Sequence, residues 1–180
     1  MSTREDMSRF YGMDLDLASI GLERPDEDMV YFCTPEGAEP AGSLGVDGIH
    51  FVLLPGDERV FCVDPSMMSP AYVLPVAEDL RTFLSYLLFC KDANVLSQIS
   101  WMSKQQYHDL LREDESARYP GWEERTARKK ETLTRIEKGF ALTARDPFVE
   151  VKALQAAFDP SFIRWSDEYY DVLGMEREEE

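Results

Sequence analysis

The chain is expected to fold as α+β: an antiparallel or mixed sheet built around a central hairpin, packed by helices and followed by a helical C-terminal part. Three observations predict this. Two apolar, β-rich runs, 49–54 and 60–63, flank the turn Pro55-Gly56-Asp57. Leu80, Phe83, Leu84, Leu87 and Leu88 then recur at the spacing of one helix face. Beyond residue 92 the pattern becomes helical, with capping residues at the expected offsets. Strands early and helices late is the order of an α+β domain.

From the amino terminus, residues 1–27 are polar with scattered apolar positions, and Leu15 to Leu22 reads as a short helix or a strand-like piece. Residues 28–34 (DMVYFCT) are aromatic and β-branched and are closed by Pro35 and Gly37, which predicts a strand. The following PEGAEPAGSLGVDG carries four Gly and two Pro and reads as a loop. In the hairpin, Ile49, Phe51 and Leu53 alternate with His50, Val52 and Leu54, so both faces are largely apolar. Such a strand is expected to be covered on both sides or to lie centrally. Pro55 fixes φ and Gly56 tolerates positive φ, which is what a tight turn needs. Residues 71–74 add a short strand before Pro75.

The helix is expected from about Val76 to Cys90, with Pro75 suited to its first turn, Glu78 and Asp79 at its positive end and Lys91 at its negative end. Asp92 can cap a short helix running through Ile99. Ser103 with Gln106 makes a capping box for a helix bearing Tyr107, Leu110 and Leu111. Residues 122–140 form a charged helix whose thin apolar side is Leu133, Ile136 and Phe140. Asp146-Pro147 opens another with Val151, Leu154 and Phe158. Phe162, Trp165, Tyr169 and Tyr170 fall at i, i+3, i+7 and i+8 and read as core or a docked terminal helix, a homodimer contact being the alternative. The closing EREEE is expected to fray. Without repeats or a low-complexity linker, residues 1–180 read as a single domain, with about 120–180 a helical extension of it.

Charge narrows the function. The 180 residues carry 35 acids against 19 Lys plus Arg, a net charge of −16. The first 100 residues hold 17 acids and 6 of the bases, so the amino-terminal half is the acidic one. Such a surface repels phosphate, which disfavours direct nucleic-acid or anionic-membrane binding and favours a basic protein partner. The alternative is that the charge serves solubility alone. Cys33, Cys62 and Cys90 lie in apolar runs without metal-ligand spacing, as reduced buried thiols of a cytoplasmic protein would. MSTREDMSRF lacks an apolar leader core, and no window approaches a membrane span.

No phosphate-binding loop, dinucleotide fingerprint, zinc-protease or serine-hydrolase motif is present, so no catalytic residue, cofactor or metal is assigned. His50 and Cys62, on neighbouring strands, are the one conceivable nucleophile pair and the basis of a small-enzyme alternative; a buried cysteine beside a structural histidine is the preferred reading. Asp14 with Asp16, and Asp26 with Asp28, lack the alternating oxygen ligands of a calcium loop. The cations of 122–140 alternate with glutamates, which suits a solvated helix face rather than a phosphate site.

The run GIHFVLLPGDERVFCVDP, followed by VLPVAEDLRTFLSYLL, resembles the SUKH superfamily, the SMI1/KNR4-like proteins, and its bacterial members especially. The resemblance covers about the middle third of the chain. It implies an α+β fold and a binding module without catalysis, and many bacterial members resemble immunity proteins that neutralise toxins, often nucleases, encoded beside them. An acidic surface fits a basic nuclease site. The expected contact residues are the exposed loop acids Asp26, Glu27, Asp28, Glu36, Glu39, Asp57 and Glu58. A regulatory or scaffold protein with no toxin partner is the alternative that the eukaryotic members suggest.

Overall fold

The computed structural model describes residues 2–26 and 28–177. Glu27 and the last three glutamates of the expected frayed tail therefore lie outside the described residues. Four strands, β1 (Glu39–Ser43), β2 (His50–Leu53), β3 (Val60–Val63) and β4 (Val73–Ala77), form one sheet in the order β1-β2-β3-β4. Every pairing is antiparallel. The helices are α1 (Thr3–Gly12), α2 (Leu80–Cys90), α3 (Ala93–Gln98), α4 (Lys104–Ser116), α5 (Trp122–Phe140), α6 (Phe148–Ala156) and α7 (Asp167–Leu173). The architecture is α+β with a helical C-terminal part.

The hairpin is the centre. His50 pairs with Val63 and Leu53 with Val60, and every residue of both strands is buried. Because side chains alternate across a strand, the two apolar faces meet different cores. Phe51, Leu53, Val60 and Cys62 pack with Phe10, Phe83, Leu87, Leu96 and Ile136 from the helices. Val52, Leu54, Phe61 and Val63 pack with Cys33, Tyr72, Ile163 and Tyr169. The strands are thus covered on both faces, as their composition predicts. The turn closes with the Asp57 amide donating to the Leu54 carbonyl at 3.1 Å, Gly56 sitting at φ 73°.

The two edge strands each contain a proline, Pro40 in β1 and Pro75 in β4. A residue without an amide hydrogen is tolerated at an edge and blunts it against further pairing. Both edges are also occupied: Gln155 of α6 donates to the Pro75 carbonyl, and Glu23 exchanges backbone hydrogen bonds with Ser43.

Five expectations are corrected. Residues 28–34 are turns rather than a strand; their aromatic content reflects burial of Cys33 and packing of Phe32, not pairing. Conversely, β1 emerges from the stretch read as loop, because the hydrogen-bonding edge of β2 that β3 leaves open supplies a template that local propensity cannot reveal. The central helix starts at Leu80, not Val76: the Asp79 carboxylate accepts from the Thr82 amide at 2.7 Å, and Pro75, Val76 and Ala77 belong to β4. The aromatic tail is not one helix, since a 3-10 turn (Pro160–Phe162) and an extended link precede α7. Tyr169 is nevertheless buried and stacks on Trp165 at 4.2 Å, docking this end on the sheet. The expected helices α3 to α6 begin where Asp92, the Ser103/Gln106 box, residue 122 and Pro147 place them, but α6 ends at Ala156, so Phe158 lies beyond it and packs with the Tyr72 and Tyr169 side of the sheet. Among the described residues, no helix is long and apolar enough to cross a membrane.

Candidate functional site

The hairpin separates the expected contact acids into two groups. Glu36, Glu39, Asp57 and Glu58 gather at its turn end, where Glu39 is paired with Leu53 and Gly37 lies against Pro55. Asp26 and Asp28 lie toward the opposite end, where β2 begins.

At the turn end most of the acids have partners within the chain. Arg4 of α1 reaches Glu39 at 2.8 Å and Glu58 at 4.0 Å. The Thr3 amide donates to the Glu58 carboxylate at 2.5 Å, and this hydrogen bond, chiefly, holds the Glu58 carboxyl below its ordinary range. Asp57 binds Arg59 through both oxygens, the closest contact being 2.6 Å. Burial raises the Asp57 carboxyl, but the hydrogen bonds and charge of Arg59 outweigh it and leave the group below its ordinary value. The Arg59 guanidinium in turn lies over Phe61, Phe158 and Phe162 at 5.1, 5.5 and 5.7 Å. These acids fasten α1 and the C-terminal segment to the hairpin. Glu36 is the exception: it is exposed, without an ion pair among the described residues, and lines a cleft of about 460 Å³ with Pro55, Phe162 and Arg164.

The opposite end is built differently. The β1–β2 and β3–β4 connections both emerge there, and residues 28–34 cross beside them, tied by an edge-on contact of Phe32 with Tyr72 at 5.4 Å. Val30, Val46 and Met68 are 65%, 56% and 79% exposed, and Tyr31 presents a partly exposed ring. Asp26 and Asp28, at the start of the crossing segment, and Asp47, in the β1–β2 connection, form no ion pair among the described residues. Asp26 accepts from the Asp28 amide at 3.0 Å, which fixes the turn and leaves both carboxylates at the surface. Asp47, at φ 55°, is a residue type suited to that conformation. The sequence reading passed over Val46 and Met68; apolar residues inside Gly- and Asp-rich turns were the available signal.

His50 belongs to this end and is a structural residue. Its Nδ1 lies 2.7 Å from the Gly48 carbonyl and its Nε2 3.1 Å from the Thr34 hydroxyl, while Tyr31 stacks on the ring. A neutral ring donating from Nδ1 and accepting at Nε2 satisfies both partners. Burial lowers its proton affinity below the ordinary value. Cys62 cannot serve as its nucleophile partner: it faces the helix-side core, whereas His50, opposite Val63, points to the other face. Burial also pushes the Cys62 thiol well above its ordinary range, which keeps it unreactive. The Cys-His pair of the small-enzyme alternative is therefore not assembled.

The fold and this surface define the chain as an α+β protein with exposed apolar and acidic side chains in the connections at one end of its sheet. Comparison with family models, curated proteins and solved structures finds no match to it.

Proposed function

We propose that this chain is a non-catalytic protein-binding module of the SUKH type, acting in the cytoplasm as an immunity protein that neutralises a basic, nuclease-type toxin. The observation that carries this reading is the end of the sheet whose connections and crossing segment carry exposed Val30, Tyr31, Val46 and Met68 together with exposed Asp26, Asp28 and Asp47. Apolar side chains supply area to bury, and acids without an ion pair among the described residues supply steering toward a basic surface. The net charge of −16 acts in the same direction. A regulatory scaffold binding a basic partner that is not a toxin is the second reading, and it uses the same surface.

Capture from the source cells with the wild-type chain and with a variant carrying Asp26→Asn, Asp28→Lys and Asp47→Asn tests the reading. A basic protein retained by the wild type, released at high salt and absent from the variant is the expected result. Equal retention by both chains would sink this choice of surface. Whether the captured protein cleaves nucleic acid, and stops doing so when the chain is added, separates immunity from scaffold.

A further inference from the structure

A groove at the end of α2 is lined by more cations than acids: Lys91, Arg112, Arg125, Lys129 and Lys130 against Asp114, Glu115 and Glu137. Three depressions of about 700, 330 and 190 Å³ share Lys91, the residue that ends α2. Their floor is apolar, from Leu88 of α2, Leu111 of α4, Leu133 of α5 and Ala144 of the α5–α6 connection. Leu111 and Leu133 are only half-buried, so the floor is incompletely covered. One wall is α4, which buries only Tyr107 fully. The other is α5, which contributes Thr126, Lys130, Leu133 and Glu137, a line about 16 Å long at the rise of an α-helix.

The charges on this groove are not balanced within the chain. Of its acids, Asp114 and Glu115 are engaged, with Lys129 at 3.5 Å and with Lys91 at 2.8 Å, while exposed Glu137 at the far end of the α5 wall holds no cation within ion-pair distance among the described residues. Arg125 and Lys130 are exposed and hold no carboxylate within ion-pair distance among the described residues. Trp122 and the partly exposed Tyr119 add aromatic surface beside Arg125. An apolar floor beside a wall three helical turns long, with Arg125 and Lys130 uncompensated against a single unpaired acid, matches a helix with leucines on one face and acids on its flanks.

We infer that the groove between α4 and α5 is a second docking site, and that it takes an acidic amphipathic helix of a partner protein. The site is separate from the acidic end of the sheet and opposite to it in charge, so one chain can hold a basic partner and an acidic one. The inference stands whether or not the acidic end binds a toxin.

The probe is a synthetic helical peptide with leucines at i, i+4 and i+7 flanked by glutamates, alongside a lysine-flanked peptide of the same pattern. Binding is followed by anisotropy of the labelled peptide and by amide chemical shifts of the full chain. The acidic peptide should bind and shift Lys91, Leu133 and Ala144, and Arg125→Glu with Lys130→Glu should weaken it about tenfold, as loss of charge complementarity does. Ala144→Trp, which fills the floor, should abolish binding, while Asp28→Lys should leave it unchanged. Thermal melts of each variant establish that the fold is retained. Equal binding to the charge-reversed chain, preference for the lysine-flanked peptide, or self-association of the chain blocked by Ala144→Trp would each overturn the assignment.

Discussion

The Thr34 hydroxyl sits 3.1 Å from His50 Nε2 and also accepts the Tyr31 amide at 2.9 Å. One side chain therefore joins the start of β2 to the turn that presents Tyr31 and Val30. The exposed apolar end of the sheet owes its shape to a buried hydrogen-bond chain from Gly48 through His50 and Thr34 to Tyr31. Thr34→Val removes the hydroxyl at nearly constant volume and leaves the buried imidazole nitrogen and the Tyr31 amide unsatisfied. It should cost about 1–3 kcal/mol, read by denaturant unfolding.

The same chain makes stability depend on pH. His50 has a folded proton affinity below its ordinary 6.5, because burial disfavours the charged ring. The unfolded chain therefore binds the extra proton first as pH falls. The contribution of the neutral ring is complete above about 6.5 and is lost as pH drops below that value toward the folded one. Melting temperature should fall from pH 7 to pH 5.5 in the wild type, and less steeply in His50→Asn. An unchanged slope would remove His50 as its source.

Asp57 and Glu58 lead to a different expectation. Their partners lie within the chain, so charge reversal at Asp57 should act on folding before it acts on association. Arg59→Ala should cost about 1–2 kcal/mol, from loss of the three ring contacts and a partly buried ion pair, and should loosen residues 158–162 in hydrogen exchange. Asp28→Lys, at an exposed carboxylate, should leave the unfolding free energy within about 0.5 kcal/mol of the wild type.

Gly48 tests the apolar part of the surface without altering any charge. It has φ 70°, and a Cβ there would meet the Tyr31 ring at 2.6 Å. Gly48→Ala should displace Tyr31, seen as altered ring shifts and lost stacking on His50, and should weaken the partner through k_off rather than k_on.

How far the fold could be read from sequence depended on whether an element carries its own signal. The Leu80 to Leu88 stripe and the Ser103/Gln106 box needed no tertiary context. Helix α1 did carry a capping box, Ser2 with Glu5, but it buries only Thr3, Asp6 and Phe10, so no apolar stripe drew attention to it. Strand β1 is built of Pro40, Ala41, Gly42 and Ser43 because Tyr11 of α1 lies across it, its hydroxyl donating to the Ala41 carbonyl at 2.6 Å; only a small residue fits at Gly42. Asp26 and Asp28 of the candidate surface were legible one by one, whereas Asp47 was not among the expected contact acids. Which of them were already neutralised was not, since Glu39 finds Arg4 at a separation of 35 residues. Nor was the opposite facing of His50 and Cys62, which a pairing register decides.

The central claim is that Asp26, Asp28 and Asp47 steer a basic protein onto the apolar end of the sheet. Association kinetics with the captured partner, measured across a salt series for the wild type and for the Asp26→Asn, Asp28→Lys, Asp47→Asn variant, test it most directly. The account predicts a k_on that falls steeply with salt in the wild type, and a variant about tenfold slower at low salt that converges on the wild type at high salt. Identical rates and identical salt slopes for the two chains would contradict it.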